Sequence, residues 1–253
     1  MARLTVATLN IRNLADRWDE RLPLLLADMA ALQPDVLGLQ EVVYPLQQDR
    51  LIGAAGEGRY ESFRAWAGRP EYGNAMLVRE PLAVTASQVE RLELGLNRSV
   101  LRLVLVLGDG TTLLAAVTHL HHVPADEAKR DDQALQLLEW LEQAPPTDAR
   151  VLVGDFNAEP FEAAVKRIAA AGYRSGYAEA NGADPDVTWP SGLQAPGMDD
   201  DGDPGCLDYI WLHGPIRVTS ARLAWDRPAV GDGTLYPSDH VGLIAELEVG
   251  EAD

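Results

Sequence analysis

Residues 3–41 read RLTVATLNIRNLADRWDERLPLLLADMAALQPDVLGLQE, and the period of their apolar residues changes twice. From Leu4 to Leu9 the chain alternates and is rich in β-formers, which predicts a strand. Trp18, Leu22, Leu25, Leu26, Met29 and Leu32 then recur at the spacing of one helix face. Pro34 and Asp35 end that helix, and Val36 to Gln40 is a short apolar run of the kind a buried strand shows. The opening is therefore a β-α-β unit of parallel type.

Downstream the pattern changes to successive strand candidates at 60–66, 73–79, 82–93, 99–107 and 111–118, with Gly108-Asp109-Gly110 as a hairpin turn. This predicts a mainly antiparallel meander. Helical spacing returns from Asp126 to Glu142, where Ala134, Leu135, Leu138 and Leu141 share a face, and Pro145-Pro146 ends it. A strand follows at Arg150 to Gly154. Pro160 suits a first helical turn, and Phe161, Ala164, Val165 and Ile168 form the next apolar stripe. Asn181 to Gly205 is rich in Gly, Pro and Asp and reads as one long functional loop. Strands resume at Leu207–Leu212, Ile216–Trp225 and Val241–Leu247. No linker divides the chain, so residues 1–253 are expected to form one α/β domain with two sheets face to face and helices outside.

The composition narrows the function classes. In 253 residues, Lys and Arg total 21 against 39 for Asp and Glu, a net charge of −18, and only Lys129 and Lys166 are lysines. No basic strip is present to track a duplex, although a local cationic or metal-bearing cleft can still take a phosphate substrate. The single cysteine, Cys206, excludes an internal disulfide framework and a cysteine-rich zinc site. The N-terminus lacks the apolar core of a signal peptide, and no run approaches the roughly 18 apolar residues of a membrane span. A soluble, cytoplasmic, monomeric protein is expected.

Polar residues collect where strands end. Asn10 follows TVATL, Glu41 follows DVLGLQ, His119 follows LLAAVT, Asp155 and Asn157 follow RVLVG, Asp208 opens LDYIWL, and Asp239-His240 precedes VGLIAEL. Strand ends are where side chains from remote segments converge on one cleft. Taken singly, each has a bland reading. Asn10 suits a turn or cap, Glu41 a first-turn acid, Asp155 an Asx turn, and Asp208 the ordinary start of an edge strand.

In order, TLNIRN, LQEV, YGNAMLVR, THL, GDFNAEP, LDYIW and SDHVGL resemble the motif series of the endonuclease/exonuclease/phosphatase superfamily of metal-dependent phosphoesterases. The resemblance runs from Asn10 to His240 and implies a four-layer α/β sandwich. It also implies a Mg²⁺ or Mn²⁺ site of Asn10, Glu41 and Asp239, with Glu41 the principal ligand. Asp155 and Asn157 resemble the pair that orients the attacking water and the phosphate. Asp208 resembles the acid that orients His240, and His119 the histidine at the scissile phosphate or leaving oxygen. Asn74 and Arg98 resemble polar and cationic groups that bind substrate, while Arg130 and Gln133 read as structural. Many members carry Asn where Val117 stands.

The implied activity is phosphodiester hydrolysis, on nucleic acid or a small phosphodiester, with sphingomyelinase-like and inositol-phosphate substrates as alternatives. Two other classes compete. His119, His121 and His122 with Asp126 resemble a zinc-hydrolase cluster, but that motif wants Asp where Val123 stands. A catalytically inactive binding module would have lost ligands, and none of the set is lost. The acidic run Asp199 to Asp203 suits a solvated loop better than a calcium loop, which would need Gly at Pro204 and Glu at Ile210. GAAGEG at 53–58 has the wrong spacing for a phosphate loop.

Overall fold

The computed structural model describes residues 1–56, 59–84, 88–198 and 202–250. Part of the expected strand 82–93, the last residues of the GAAGEG stretch and most of the acidic run 199–203 lie outside them.

Two mixed sheets pack face to face with helices on both outer sides. The first sheet has six strands in the order β12(Ile216–Ala224), β13(Gly242–Val249), β1(Ala2–Asn10), β2(Val36–Val43), β4(Tyr72–Arg79), β3(Tyr60–Trp66). The second has seven. Its order is β10(Arg174–Ser175), β11(Asp208–His213), β9(Ala149–Asp155), β8(Thr112–His119), β7(Arg98–Val106), β5(Ala83–Val84), and β6(Glu90–Gly95) also pairs with β7. Each sheet holds one parallel pair. β1 and β2 are joined through α1(Trp18–Leu32), and β8 and β9 through α3(Glu127–Glu142). The residues from Tyr60 to Thr118 do not form one meander: β3 and β4 extend the first sheet, and the chain then crosses to build the second.

Strand alternation assigns each side chain to one of two cores. On β9, Val151 and Val153 enter the core between the sheets, while Leu152 faces outward beneath α3 and α4(Ala163–Ala170). On β1, Leu4 and Val6 point inward, and Ala7 and Leu9 face α1 and α2(Leu46–Ala55). Gly38 on β2 lets the sheets approach: a β-carbon there would lie 2.4 Å from Val153 Cγ2 and 3.0 Å from Val117 Cγ2.

Two helix faces differ from expectation. α3 buries Leu137 and leaves Leu135 39% exposed. α4 begins at Ala163 rather than at Pro160, so Phe161 falls outside the stripe and is 64% exposed. The helices α2 and α5(Gly176–Asn181) and the short β10 had no counterpart in the sequence reading.

Candidate active site

The carboxyl ends of both parallel pairs open at the same edge of the sandwich. Asn10 ends β1, His119 ends β8, Asp155 ends β9 and Asp208 opens β11. In the ladder, Asp155 is the register partner of His119 on one side and of Asp208 on the other. Gly154 makes this crossing possible, since a β-carbon there would lie 2.1 Å from the Thr118 carbonyl oxygen. A cleft of about 1020 Å³ lies at this edge, lined by Asn10, Glu41, His119, Asp155, Asn157, Asp239, His240 and Arg98 among others.

A chain of hydrogen bonds ties the two sheets together at its floor. Asn10 Nδ2 donates to Asp155 Oδ2 at 2.9 Å, and His240 Nε2 lies 3.6 Å from that oxygen. His240 Nδ1 is 2.9 Å from Asp208 Oδ2, and His119 Nε2 is 3.3 Å from Asp155 Oδ2. All five side chains are almost completely buried. Burial alone would discharge His240, but Asp208, Asp155 and Asp239 outweigh it and push its pKa up to about 10. Burial pushes the Asp155 carboxyl up to about 7, against the pull of His240. His119 goes the other way: burial, then the neighbouring Arg98, His240 and His122, hold it well below the usual imidazole range. Two imidazoles at one carboxylate are thus driven to opposite charge states, the separation that acid–base chemistry uses.

Asp155, Asp208 and His240 each offer a ligand atom within 4.8 Å of the others. Their pairing is that of a relay: Asp208 receives the Nδ1 proton and fixes the ring, with Nε2 turned toward Asp155.

Glu41 is placed by an irregularity. The β2–β4 register shifts between Leu39 and Val42, and Glu41 has φ 58°, in the left-handed region. The bulge turns its half-buried carboxylate into the cleft, where Asn13 Nδ2 donates to Oε2 at 2.8 Å. Asn157 is also left-handed, at φ 48°. Its backbone N–H donates to Asp155 Oδ1 at 2.9 Å, and its carboxamide donates to the Leu120 carbonyl. Such strain at two cleft residues is typical of functional sites.

Asp239 is 1% exposed. Its Oδ2 faces Arg12 Nη1 at 3.2 Å and Trp189 Nε1 at 3.3 Å, and Ser238 Oγ donates to Oδ1 at 3.2 Å. Arg98 Nη1 lies 2.8 and 3.0 Å from the two nitrogens of His119, and its Nη2 lies 2.9 Å from His122 Nδ1. Asn74 does not line the cleft. It is buried, and its Nδ2 donates to the Ser99 carbonyl at 2.8 Å, joining β4 of one sheet to β7 of the other. His121 turns toward Asp126 at 2.8 Å, so the three histidines of the loop after β8 do not share a ligand set among the described residues. Arg130 and Gln133 brace that loop: Arg130 donates to the Val123 and Pro124 carbonyls, and Gln133 accepts from the His121 N–H.

The Endonuclease/Exonuclease/phosphatase family model matches residues 7–240, from β1 through His240. The chain belongs to that family. As a member of the endonuclease/exonuclease/phosphatase family it is similar to Nocturnin of Xenopus laevis, 28% identical over 264 residues, and to Nocturnin of Mus musculus, 26% identical over 265. These alignments take in 93% of the chain but 66% and 59% of the two Nocturnins, so the chain spans about three fifths to two thirds of their length. The human Nocturnin catalytic domain with bound sulfate superposes with a TM-score of 0.78 at 25% identity, covering 97% of this chain and 94% of that one. Humanized D. rerio TDP2 shares the family fold at a TM-score of 0.78 and 18% identity, over 98% and 100% of the two chains.

Arg12, Asn13 and Trp189 also line the cleft and were not singled out from the sequence. Arg12 and Asn13 lie inside the TLNIRN stretch, which was the available signal. Trp189 lies in the long loop and carried none.

Proposed function

We infer that this chain is a divalent-metal-dependent phosphoesterase that hydrolyses phosphodiesters. The observation that carries the reading is the convergence, in one cleft, of His240 paired with Asp208, His119 beside Arg98, and the outward-turned carboxylate of Glu41. Mg²⁺ and Mn²⁺ take hard oxygen ligands and keep several waters, so a site built on Glu41, with the carboxamide oxygen of Asn10 beside the cleft, fits them without thiols. Bound there, such an ion supplies charge to the phosphoryl oxygens.

The remaining roles follow from the side chains. Asp155 is the base that orients the attacking water and takes its proton, and Asn157 fixes it through the backbone bond to Oδ1. His240, kept charged by Asp208, donates to a phosphoryl oxygen. His119 and Arg98 stand where the leaving oxygen emerges. Water oxygen bonds to phosphorus as its proton passes to Asp155, the bond from phosphorus to the leaving oxygen breaks, and that oxygen takes its proton from solvent water.

The substrate reading is a nucleic acid or a small phosphodiester. Arg98 offers a guanidinium that faces the imidazoles of His119 and His122 in the cleft, and the related human catalytic domain binds sulfate, an anion of phosphate shape. The site is complete within one chain, which supports a monomer. No described helix is long and apolar enough to cross a membrane, and with one buried free cysteine the cytoplasm is the proposed compartment.

The deciding experiment compares bis-p-nitrophenyl phosphate with p-nitrophenyl phosphate, with and without Mg²⁺ or Mn²⁺. Metal-dependent release from the diester, faster than from the monoester, is the expected result. Equal inertness toward both, with single-stranded RNA and DNA also uncut, would overturn it.

A further inference from the structure

Arg64, Arg69, Arg91 and Arg98 are scattered in the sequence, and the fold gathers them at one end of the cleft. β3 is the last strand of the first sheet, and β6 of the second sheet comes up beside it. The turns that follow these strands meet: a β-carbon on Gly68 would lie 2.6 Å from Asn97 Oδ1. Arg69 and Arg98, each one residue on from that contact, both line the cleft. Arg64 and Trp66, two residues apart on β3, project from the same face of the strand, about 7 Å apart along it. Arg91 crosses from β6 to cover the Trp66 ring, its Cζ 3.8 Å from the ring centroid, and Arg64 Cζ lies 5.1 Å from the centroid of Tyr44. A line of guanidiniums and rings thus leaves the cleft at Arg98 and Arg69 and runs along the edge of the sandwich past Arg91 and Trp66 to Arg64.

The charge on this edge is not neutralised. Among the described residues none of the four arginines is in an ion pair, whereas Arg79 with Asp35, Arg102 with Glu90 and Arg167 with Asp131 show how such groups are held elsewhere. Two acids stand nearby, Glu71 on the cleft and Glu93 on β6, so four positive charges against two leave the edge positive in a chain of net charge −18. Elsewhere around the cleft the balance is reversed. Glu159, Glu162 and Asp203 line it, and the cations there are engaged, Arg130 by Glu162 and Arg12 by Asp16 and Asp239. Arg21, behind the loop after β1, is fully buried, and its guanidinium donates to the carbonyls of Ile11, Arg12, Asn13, Ala15, Asp16 and Pro237. A polyanion with one phosphate in the cleft is therefore drawn out over the arginine edge and repelled from the acidic wall. An edge strand needs charge of either sign to discourage pairing with another sheet. Guanidiniums of one sign, interleaved with rings and leading into the cleft, go beyond that need.

We propose that the β3–β6 edge is an accessory site for single-stranded nucleic acid, holding the strand on one side of the phosphate that is cut. Guanidiniums take the phosphates of a single strand, and its unstacked bases lie on aromatic or guanidinium planes. A duplex, its bases already stacked, uses only the charges. The proposal rests on the phosphodiesterase reading above and selects its nucleic-acid arm over the small phosphodiester.

The test is fluorescence anisotropy of labelled oligothymidylates with the full chain in EDTA, with circular dichroism to verify folding of each variant. A strand of about twelve nucleotides should bind ~10-fold or more tighter than one of about three, and tighter than a duplex of equal length. Arg64→Gln combined with Arg91→Gln, both outside the cleft lining, should weaken the long strand by ~10-fold and flatten its salt dependence. The same variant should leave the short strand, and metal-dependent turnover of bis-p-nitrophenyl phosphate, unchanged. Arg64→Lys combined with Arg91→Lys keeps the charges without the planes, and should restore the salt dependence with only part of the affinity. Equal affinity for long and short strands, a double Gln variant that binds as wild type does, or poly-L-glutamate bound as tightly as the long strand would each overturn the proposal. Strand binding is read without turnover, so failure to hydrolyse bis-p-nitrophenyl phosphate would overturn the phosphodiesterase reading and leave the length dependence to decide this one.

Discussion

Asn10 and Asp155 stand 145 positions apart and close the cleft floor from opposite sheets with one 2.9 Å hydrogen bond. The last residue of β1 thereby meets the last residue of β9, and the oxygen that accepts from Asn10 is also the one nearest to His119 and His240. The carboxylate that carries this atom also helps to keep His240 charged.

Metal removal gives the first prediction. With no serine, threonine or cysteine among the described residues that line the cleft, hydrolysis should stop in EDTA and return with Mg²⁺ or Mn²⁺. Undiminished turnover in excess chelator would refute metal dependence.

Glu41→Gln and Asp155→Asn should fail in different ways. The first removes ligand charge, so the metal concentration for half-maximal rate should rise by ~10-fold or more. The second leaves that concentration nearly unchanged and lowers turnover by ~10²–10⁴. A metal titration of rate for each variant separates the two, and identical profiles would mean that the assignment of roles is wrong.

The pH dependence follows from His240. Its charged form is the active one, so activity should fall as the pH rises through its pKa, pushed up to about 10 by the surrounding carboxylates. Asp208→Asn removes the strongest of these and should move the alkaline limb to lower pH. On the acid side, activity should rise as the buried Asp155 carboxyl loses its proton, up to about pH 7. An alkaline limb that stays in place in Asp208→Asn would show that His240 works without its partner.

Asn74→Ala tests the expectation that the structure redirects. Because its carboxamide joins the two sheets through the Ser99 carbonyl, the variant should lose about 1–3 kcal/mol of stability, the usual cost of a buried hydrogen bond left unmade. Chemical denaturation measures this. A large rise in KM with unchanged stability would return Asn74 to the substrate.

Much of this architecture is legible in the sequence because two signals coincide. The 2.0 and 3.6 periods mark both β-α-β units, and polar residues interrupt them where the strands end. Sheet membership is less visible, since alternation gives a strand two faces without saying which sheet it joins, and 60–118 is divided between both. α2 escaped because its buried face opens on Gln47 and Gln48 and only Leu51 and Ala55 follow, too short an apolar stripe to mark a helix. The bulge at Glu41 depends on pairing with β4, a partner more than thirty residues away. Arg21 reads as an exposed helix charge, and only the folded loop supplies the carbonyls that make its burial tolerable.

That guanidinium also has a consequence for how the molecule opens. By gripping residues 11–16 and Pro237 together, Arg21 makes the first loop of the chain and its last loop one cooperative unit. Amide protons on the two loops should therefore exchange at a common rate. A fragment ending before Pro237 would lose His240 and also slacken a loop laid down more than two hundred residues earlier. The wall of the cleft that carries Arg12 should therefore open only together with the loop that carries Pro237.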